Sequence, residues 1–329
     1  MPHAGLDVVV TVGPGRFAVI AKLVCWLVLV GCSLEALRGQ SLAPRAYFIT
    51  PLNANAVTVT WSFHNGGVDF NGTVPITSAT GTYHTSVFSY YHSFSFFGRS
   101  ASFTGFLPYG VGTFQGSGLG TQKQIYRSGL MDTAFRFSVN LKGGPAMPVQ
   151  EFVTWKQKIL LGASLIVVAP TGQYSPTKVI NWGIHRWAFK PEFGYSQRWD
   201  KWVLDGSAGA WFYTTNTASF SIPQPEPQSE RPVGSFECHL SRDYKAQRLW
   251  ASLDGNFWSG GTTRLNGILN PATKQTSSRI GATASFPVSK HQSIKASYST
   301  TIYESFGGKY KTVSVAWQYS WLGDRRKFW

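Results

Sequence analysis

The sequence predicts an all-β chain, a transmembrane, antiparallel, up-and-down β-barrel of about twelve strands. Three observations carry that expectation. From residue 56 onward apolar residues recur at every second position in runs of roughly ten, the period of a membrane-spanning strand with one face in lipid. The gaps between these runs alternate long and short, as outer loops and inner turns do. The longest strictly apolar run, Leu23 to Cys32, covers ten residues, where a spanning helix needs about 20. Composition agrees. Gly 34, Trp 13, Tyr 14 and Phe 23 stand beside only 3 Met, and charged residues make up 14% of 329, against about 25% in soluble domains. A disordered chain and a helical membrane protein are both excluded.

The first element is a leader. Arg16 and Lys22 precede Leu23-Val24-Cys25-Trp26-Leu27-Val28-Leu29-Val30, and small and polar residues follow, the order of a secretory signal. Cleavage after Gly39 makes residues 1–39 the signal peptide and 40–329 the barrel domain, with Gln40 at the mature end. Leu29-Val30-Gly31-Cys32 offers a competing lipoprotein-type site, in which Cys32 is acylated. Removal of residues 1–39 leaves 27 basic and 13 acidic residues, a net +14, and Cys238 as the remaining cysteine. An exported chain of this length without an internal disulfide has to be held by burial and hydrogen-bond closure. The basic residues do not cluster; their densest run is Asp324-Arg325-Arg326-Lys327. Nucleic acid is therefore not an expected partner. Outer-membrane lipid, a small-molecule solute and, during biogenesis, the barrel-assembly machinery are. No cofactor or metal is expected.

The strands are expected near residues 56–64, 84–94, 100–109, 129–141, 158–170, 187–198, 202–213, 232–241, 249–259, 276–287, 291–304 and 312–321. Even parity returns both ends to one side of the membrane. The last run is the clearest: Val313, Val315, Trp317, Tyr319 and Trp321 alternate with Thr312, Ser314, Ala316, Gln318 and Ser320, an aromatic and β-branched stripe opposite small polar groups. In the same way Ala284 and Phe286 oppose Thr283 and Ser285. The gaps 65–83, 110–128, 171–186, 214–231 and 260–275 are long; 95–99, 199–201, 242–248 and 288–290 are short. Two gaps break the alternation. Residues 142–157 fall on the inner side yet run long, with Glu151 to Lys156 able to form a helical turn or two, and 305–311 is outer but short. Tyr109, Trp187, Trp202, Phe212, Trp317 and Trp321 lie near expected strand ends, where ring and polar handle suit the headgroup zone.

Several segments carry a resemblance: Leu42-Ala43-Pro44-Arg45-Ala46-Tyr47, Phe96-Phe97-Gly98-Arg99-Ser100-Ala101, Ser128-Gly129-Leu130-Met131-Asp132 and Gly162-Ala163-Ser164-Leu165. It continues through Ala169-Pro170-Thr171-Gly172-Gln173-Tyr174, Asn181-Trp182-Gly183, Arg186 to Glu192, Trp250 to Asp254 and Ala316-Trp317-Gln318-Tyr319. Together they resemble the outer-membrane family of meta-pathway phenol-degradation transporters, over about residues 42 to 321. What the resemblance implies is a β-barrel pore for small compounds, aromatic ones among them. The tail Leu322 to Trp329 departs from the family pattern, leaving Trp321 and Trp329 as alternative terminal assembly signals.

If apolar residues face lipid, their neighbours face the lumen: Asp132, Arg136, Lys190, Glu192, Asp205, Glu237, His239, Asp254, Arg279 and Lys295. Two roles stay open. The charges can form a constriction that selects polar or anionic solutes, Arg and Lys binding carboxylate or phenolate, or they can pair and brace the wall. The near-balance of signs leans to bracing. Trp211, Trp250 and Trp258 share the inward parity and suit either a stacking path for aromatic solutes or packing near a rim. Gly116-Ser117-Gly118-Leu119-Gly120 is expected as an outer loop, since no strand and helix flank it as in a phosphate cradle. Pro223, Pro225 and Pro227 mark another outer loop, and Asn71-Gly72-Thr73 is a sequon without meaning outside a glycosylating host. No HExxH, CxxC or GxSxG pattern occurs, and His64 and His84 lie near loops with no acid to orient them, so the chain is not expected to be an enzyme.

The expected function is an outer-membrane channel for small compounds, aromatic or otherwise hydrophobic. Twelve strands fall between the filled eight-stranded barrel and the openly aqueous sixteen-stranded one, so passage needs a folded-in loop or a lateral gate. The alternatives are a non-transporting barrel with a structural or adhesion role through its outer loops, and a soluble secreted β-sandwich.

Overall fold

The computed structural model describes residues 42–69, 76–118, 121–178, 180–221, 224–245 and 249–323. The expected leader, the sequon and the tail from 324 lie outside them. Among the described residues the first strands are β1 (Ala54–Asp69), β2 (Ile76–Phe96), β3 (Arg99–Gly118), β4 (Thr121–Leu130), β5 (Ala134–Lys142), β6 (Ile159–Val168), β7 (Ala188–Trp199) and β8 (Trp202–Tyr213). Two short strands follow, β9 (Asn216–Ser219) and β10 (Glu226–Glu230), then β11 (Val233–Lys245) and β12 (Leu249–Gly260). The last are β13 (Thr263–Leu265), β14 (Ile268–Asn270), β15 (Gln275–Pro287), β16 (Gln292–Glu304) and β17 (Gly307–Leu322). Thirteen of these form one sheet that closes on itself through β1–β17 and β2–β3 pairing. β4 and β5 both pair with β3, one above the other, across the break Met131-Asp132-Thr133. They fill one position in the ring, so the barrel has twelve. Closure pairs the backbone around the ring and leaves no edge in lipid.

All twelve expected runs are strands of this ring. The helix α1 (Val149–Thr154) sits in the long inner connection between β5 and β6, where a helical turn was expected. Two expected loops are not loops. Residues 65–83 and 110–128 are largely strand, because β1, β2, β3 and β4 climb past the membrane zone; β3 alone, at about 3.3 Å per residue, runs about 66 Å over its 20 residues. Gly116 to Gly118 is thus strand rather than loop, and Tyr109 and His64 lie inside strands rather than at their ends. The proline-bearing stretch and the loop after β12 fold together as a second sheet, ordered β14-β13-β10-β9, above the outer rim.

The barrel is apolar outside and polar inside. Phe193 is 68% exposed beside Glu192 at 5%, and Leu253 is 68% exposed beside Asp254 at 4%, which fixes the facing of β7 and β12. Thr283 is buried in the lumen wall while Ala284 faces outward. Trp187, Trp202, Phe212 and Trp317 all project outward. One joint in the ring is incomplete. β7 and β8 pair at Phe189↔Phe212 and again at Glu192↔Gly209, without pairing at Lys190 and Pro191 between them. Proline lacks the N–H that a ladder needs.

Candidate functional site

The lumen charges occupy one arc of the wall, and Arg136, Lys190, Glu192, Glu237, His239 and Asp254 are tied to each other. Glu192 on β7 accepts from Arg136 Nη2 on β5 at 3.1 Å and from Lys190 Nζ at 2.6 Å. Lys190 also reaches over β8 to Glu237 on β11 at 3.4 Å. His239 lies 3.6 Å from Glu237 and 2.9 Å from Asp254 on β12, and Thr283 of β15 donates to Asp254 at 2.7 Å. Asp205 is buried opposite His239 in the β8–β11 register. Arg279 is buried at the end of the arc, and Lys295 is exposed to the lumen cavity. Buried charges demand such partners, and removing one strands another. Trp211 lies 5.8 Å from Lys190 Nζ and packs with Trp258, Ala188 and Val233. Trp250 carries the guanidinium of Arg45 at 4.4 Å. Asp132, expected on the lumen wall, instead sits in the break between β4 and β5.

Among the described residues, those that line the cavity from the opposite wall carry no formal charge. Thr58, Thr60, Ser62, Thr85, Ser89, Thr312 and Ser314 face the lumen from β1, β2 and β17, with His64 held between Thr312 at 3.0 Å and Thr85 at 3.1 Å. Between the two walls is a cavity of about 810 Å³, lined by the expected lumen residues Arg136, Lys190, Glu192, Asp205, Trp211, Glu237, Arg279 and Lys295, though not by Trp250 or Asp254.

At both ends of the barrel the chain itself folds inward. At the inner end residues 42–53 fold up into the barrel ahead of β1. Arg45 Nη2 binds Asp243 Oδ1 at 2.5 Å, Arg198 Nη1 binds the other carboxylate oxygen at 2.5 Å, and Arg45 Nε donates to Ser241 at 3.1 Å. Tyr47 donates to Glu192 at 2.8 Å and lies 3.1 Å from Ser164 Oγ. Ile49 packs on Met147 and Leu160 at the inner rim. At the outer end the segment between β6 and β7 turns inward as a lid. Asp132 accepts the backbone N–H groups of Gly172 at 2.8 Å and Ile184 at 2.7 Å, one on each oxygen. Trp182 and Ile180 pack on Tyr83, Phe114, Met131 and Tyr310. A Cβ on Gly110 would stand 2.4 Å from the Trp182 ring, and one on Gly172 would stand 2.8 Å from the Gly183 Cα, so these glycines are what allows the lid to seat. Arg186 pairs with Glu230 of β10, and Tyr174 donates to the Ala218 carbonyl at 2.8 Å. Burial pushes the Tyr174 phenol above its ordinary pKa, keeping it a neutral donor.

A folded-in loop is expected from the strand number, but the sequence does not single out either segment, although both lie in stretches that carry the family resemblance: Leu42 to Tyr47 for the inner one, Ala169 to Tyr174 and Asn181 to Gly183 for the outer. Their signal is the loss of two-residue alternation in stretches rich in Gly, Pro and aromatic residues.

The fold has a counterpart among solved structures. The COG4313 outer membrane channel from Pseudomonas putida F1 superposes with a TM-score of 0.70 at 15% identity, over 85% of this chain and 100% of that one. The β domain of the Bordetella autotransporter BrkA is a weaker likeness, with a TM-score of 0.49 at 11% identity over 82% of this chain and 100% of that one. No curated protein matches the sequence. A family model described as "Putative MetA-pathway of phenol degradation" matches residues 57–317. That span runs from β1 to β17, around the whole ring of a bacterial outer-membrane barrel, and the chain belongs to this family.

Proposed function

We propose that the protein is an outer-membrane channel for small neutral compounds, aromatic or otherwise hydrophobic, which pass along the uncharged hydroxyl wall when the two closures open. The observation that carries this reading is the cavity of about 810 Å³ that reaches from Arg45 and Tyr47 of the plug to Tyr83 and Met131, on which the lid packs, a size that holds a small organic molecule. Its two walls divide the work. The charged arc, from Arg136 through Lys190 and Glu237 to Asp254, braces the barrel, and the wall of β1, β2 and β17 offers hydroxyls to a passing solute. The family's phenol-degradation description and the channel description of the COG4313 neighbour are in keeping with this. A second reading, a non-transporting barrel acting through its outer surface, draws on the closure of both ends and on the four-stranded outer sheet. Planar-bilayer recording separates them. A channel gives discrete openings and a structural barrel gives none. Liposome uptake of phenols, fatty acids and small sugars then ranks the solutes; preferential uptake of sugars over phenols would overturn the proposed class.

A further inference from the structure

The inner closure places a phenol in a built slot. Gly162 of β6 and Gly194 of β7 are paired directly across the ladder, and the next inward-facing pair is Ser164 and Glu192. Tyr47 lies on the two glycines so closely that a Cβ would fall 2.4 Å from its ring at Gly162 and 2.0 Å at Gly194. Its hydroxyl meets the carboxylate of Glu192 and the hydroxyl of Ser164. The guanidinium of Arg136 stands over its ring, 5.1 Å from the centroid. Every wall of the slot is buried or half-buried.

We propose that this slot is a binding site for free phenols and that Tyr47 is its tethered occupant, so that plug and solute compete for one place. The inference rests on the channel reading and adds to it one phenol-binding station on the charged arc, at the inner mouth of the path. Each contact recognises the phenol rather than the chain that carries it. The paired glycines make a flat floor for a ring, the carboxylate accepts an O–H with charge-assisted strength, and the cation favours an aromatic face. A para-substituted phenol reproduces the Tyr47 side chain atom for atom. A short tether holds its ligand at an effective concentration in the millimolar range, so a free phenol displaces the plug only when it is itself about millimolar. Displacement then opens the inner end in response to the solute.

The test uses the full-length protein in detergent, with p-cresol as probe and toluene as the probe lacking the hydroxyl. Tyr47→Ala is expected to bind p-cresol at least about tenfold more tightly than toluene by calorimetry or saturation-transfer NMR, because toluene leaves the Glu192 acceptor unmet. The double variant Tyr47→Ala/Gly194→Leu, in which a side chain refills the slot, is expected to bind neither. Equal affinity for the two probes means a mere apolar void, which overturns the proposal, as does p-cresol binding that survives Gly194→Leu. If Tyr47→Ala does not fold, wild-type protein serves: amide exchange in residues 42–50 should accelerate with millimolar p-cresol and not with toluene, and unchanged exchange overturns the proposal. Binding in detergent requires no conduction. A slot that binds in a protein that never conducts defeats the channel reading alone, and a conducting protein whose slot ignores p-cresol defeats this inference alone.

Discussion

The two ends of the cavity are shut by different physics. The inner plug is held by polar groups: Arg45 and Arg198 share Asp243, and Tyr47 is held by Glu192 and Ser164. The outer lid is held chiefly by packing, with Trp182 among Tyr83, Phe114 and Tyr310, and is pinned by Asp132, by the Arg186–Glu230 pair and by the Tyr174 hydroxyl on the Ala218 carbonyl. Aromatic packing is short-ranged and insensitive to salt, whereas ion pairs and hydrogen bonds can be exchanged one for one with those of a solute or of water. The comparison teaches that the plug is the exchangeable closure and the lid the stiffer one, opened by moving a whole segment.

The largest expected effect is on the lid. Trp182→Ala removes the ring that fills its centre and should loosen the lid by about 3–5 kcal/mol, read as faster amide exchange in residues 171–184 with residues 42–50 unchanged. Joint acceleration of both segments would show that the closures form one cooperative unit and would end the contrast. Asp132→Ala strands two backbone donors and should cost about 2–4 kcal/mol at the same segment, most visibly in exchange at Gly172 and Ile184. Arg45→Ala should weaken the plug by about 1.5–3 kcal/mol. The loss is moderate because Arg198 still holds Asp243, and bilayer recordings should show more frequent openings while exchange in the lid stays constant. The smallest effect is that of ionic strength. Going from 0.1 to 1 M salt shortens the screening length from about 10 to about 3 Å and should loosen the plug by under about 1 kcal/mol while leaving the lid untouched, checked by exchange at both salt concentrations.

Legibility in the sequence follows the same division. The strands were readable wherever one face meets lipid and the other the lumen, because that contrast imposes a two-residue period, as in Val313 to Trp321 or Arg279 to Phe286. Above the membrane the ladder continues through Gly66-Gly67 and Gly116 to Gly118, but no lipid faces those residues and the period disappears, so β1 to β4 were read too short. The inward parity of Lys190, Glu192, Glu237 and Asp254 was readable too; their order of pairing was not, since it depends on which strands become neighbours. The plug and lid depend on contacts between distant positions: Arg45 and Asp243 are 198 residues apart and Asp132 and Ile184 are 52 apart. A periodic pattern reports only neighbours.

The unpaired step between β7 and β8 bears on how the barrel carries load. A closed ring under lateral pressure from the bilayer is a hoop, and a hoop is as stiff as its weakest joint. At Lys190 and Pro191 the backbone does not supply the joint, and Lys190 reaches over the whole width of β8 to Glu237 while gripping Glu192. The side chain is a stitch across a seam. Circumferential tension that elsewhere runs through amide hydrogen bonds runs here through one ammonium group on β7 and one carboxylate on β11, so the compliance of the wall is set at this point by charge rather than by the peptide ladder.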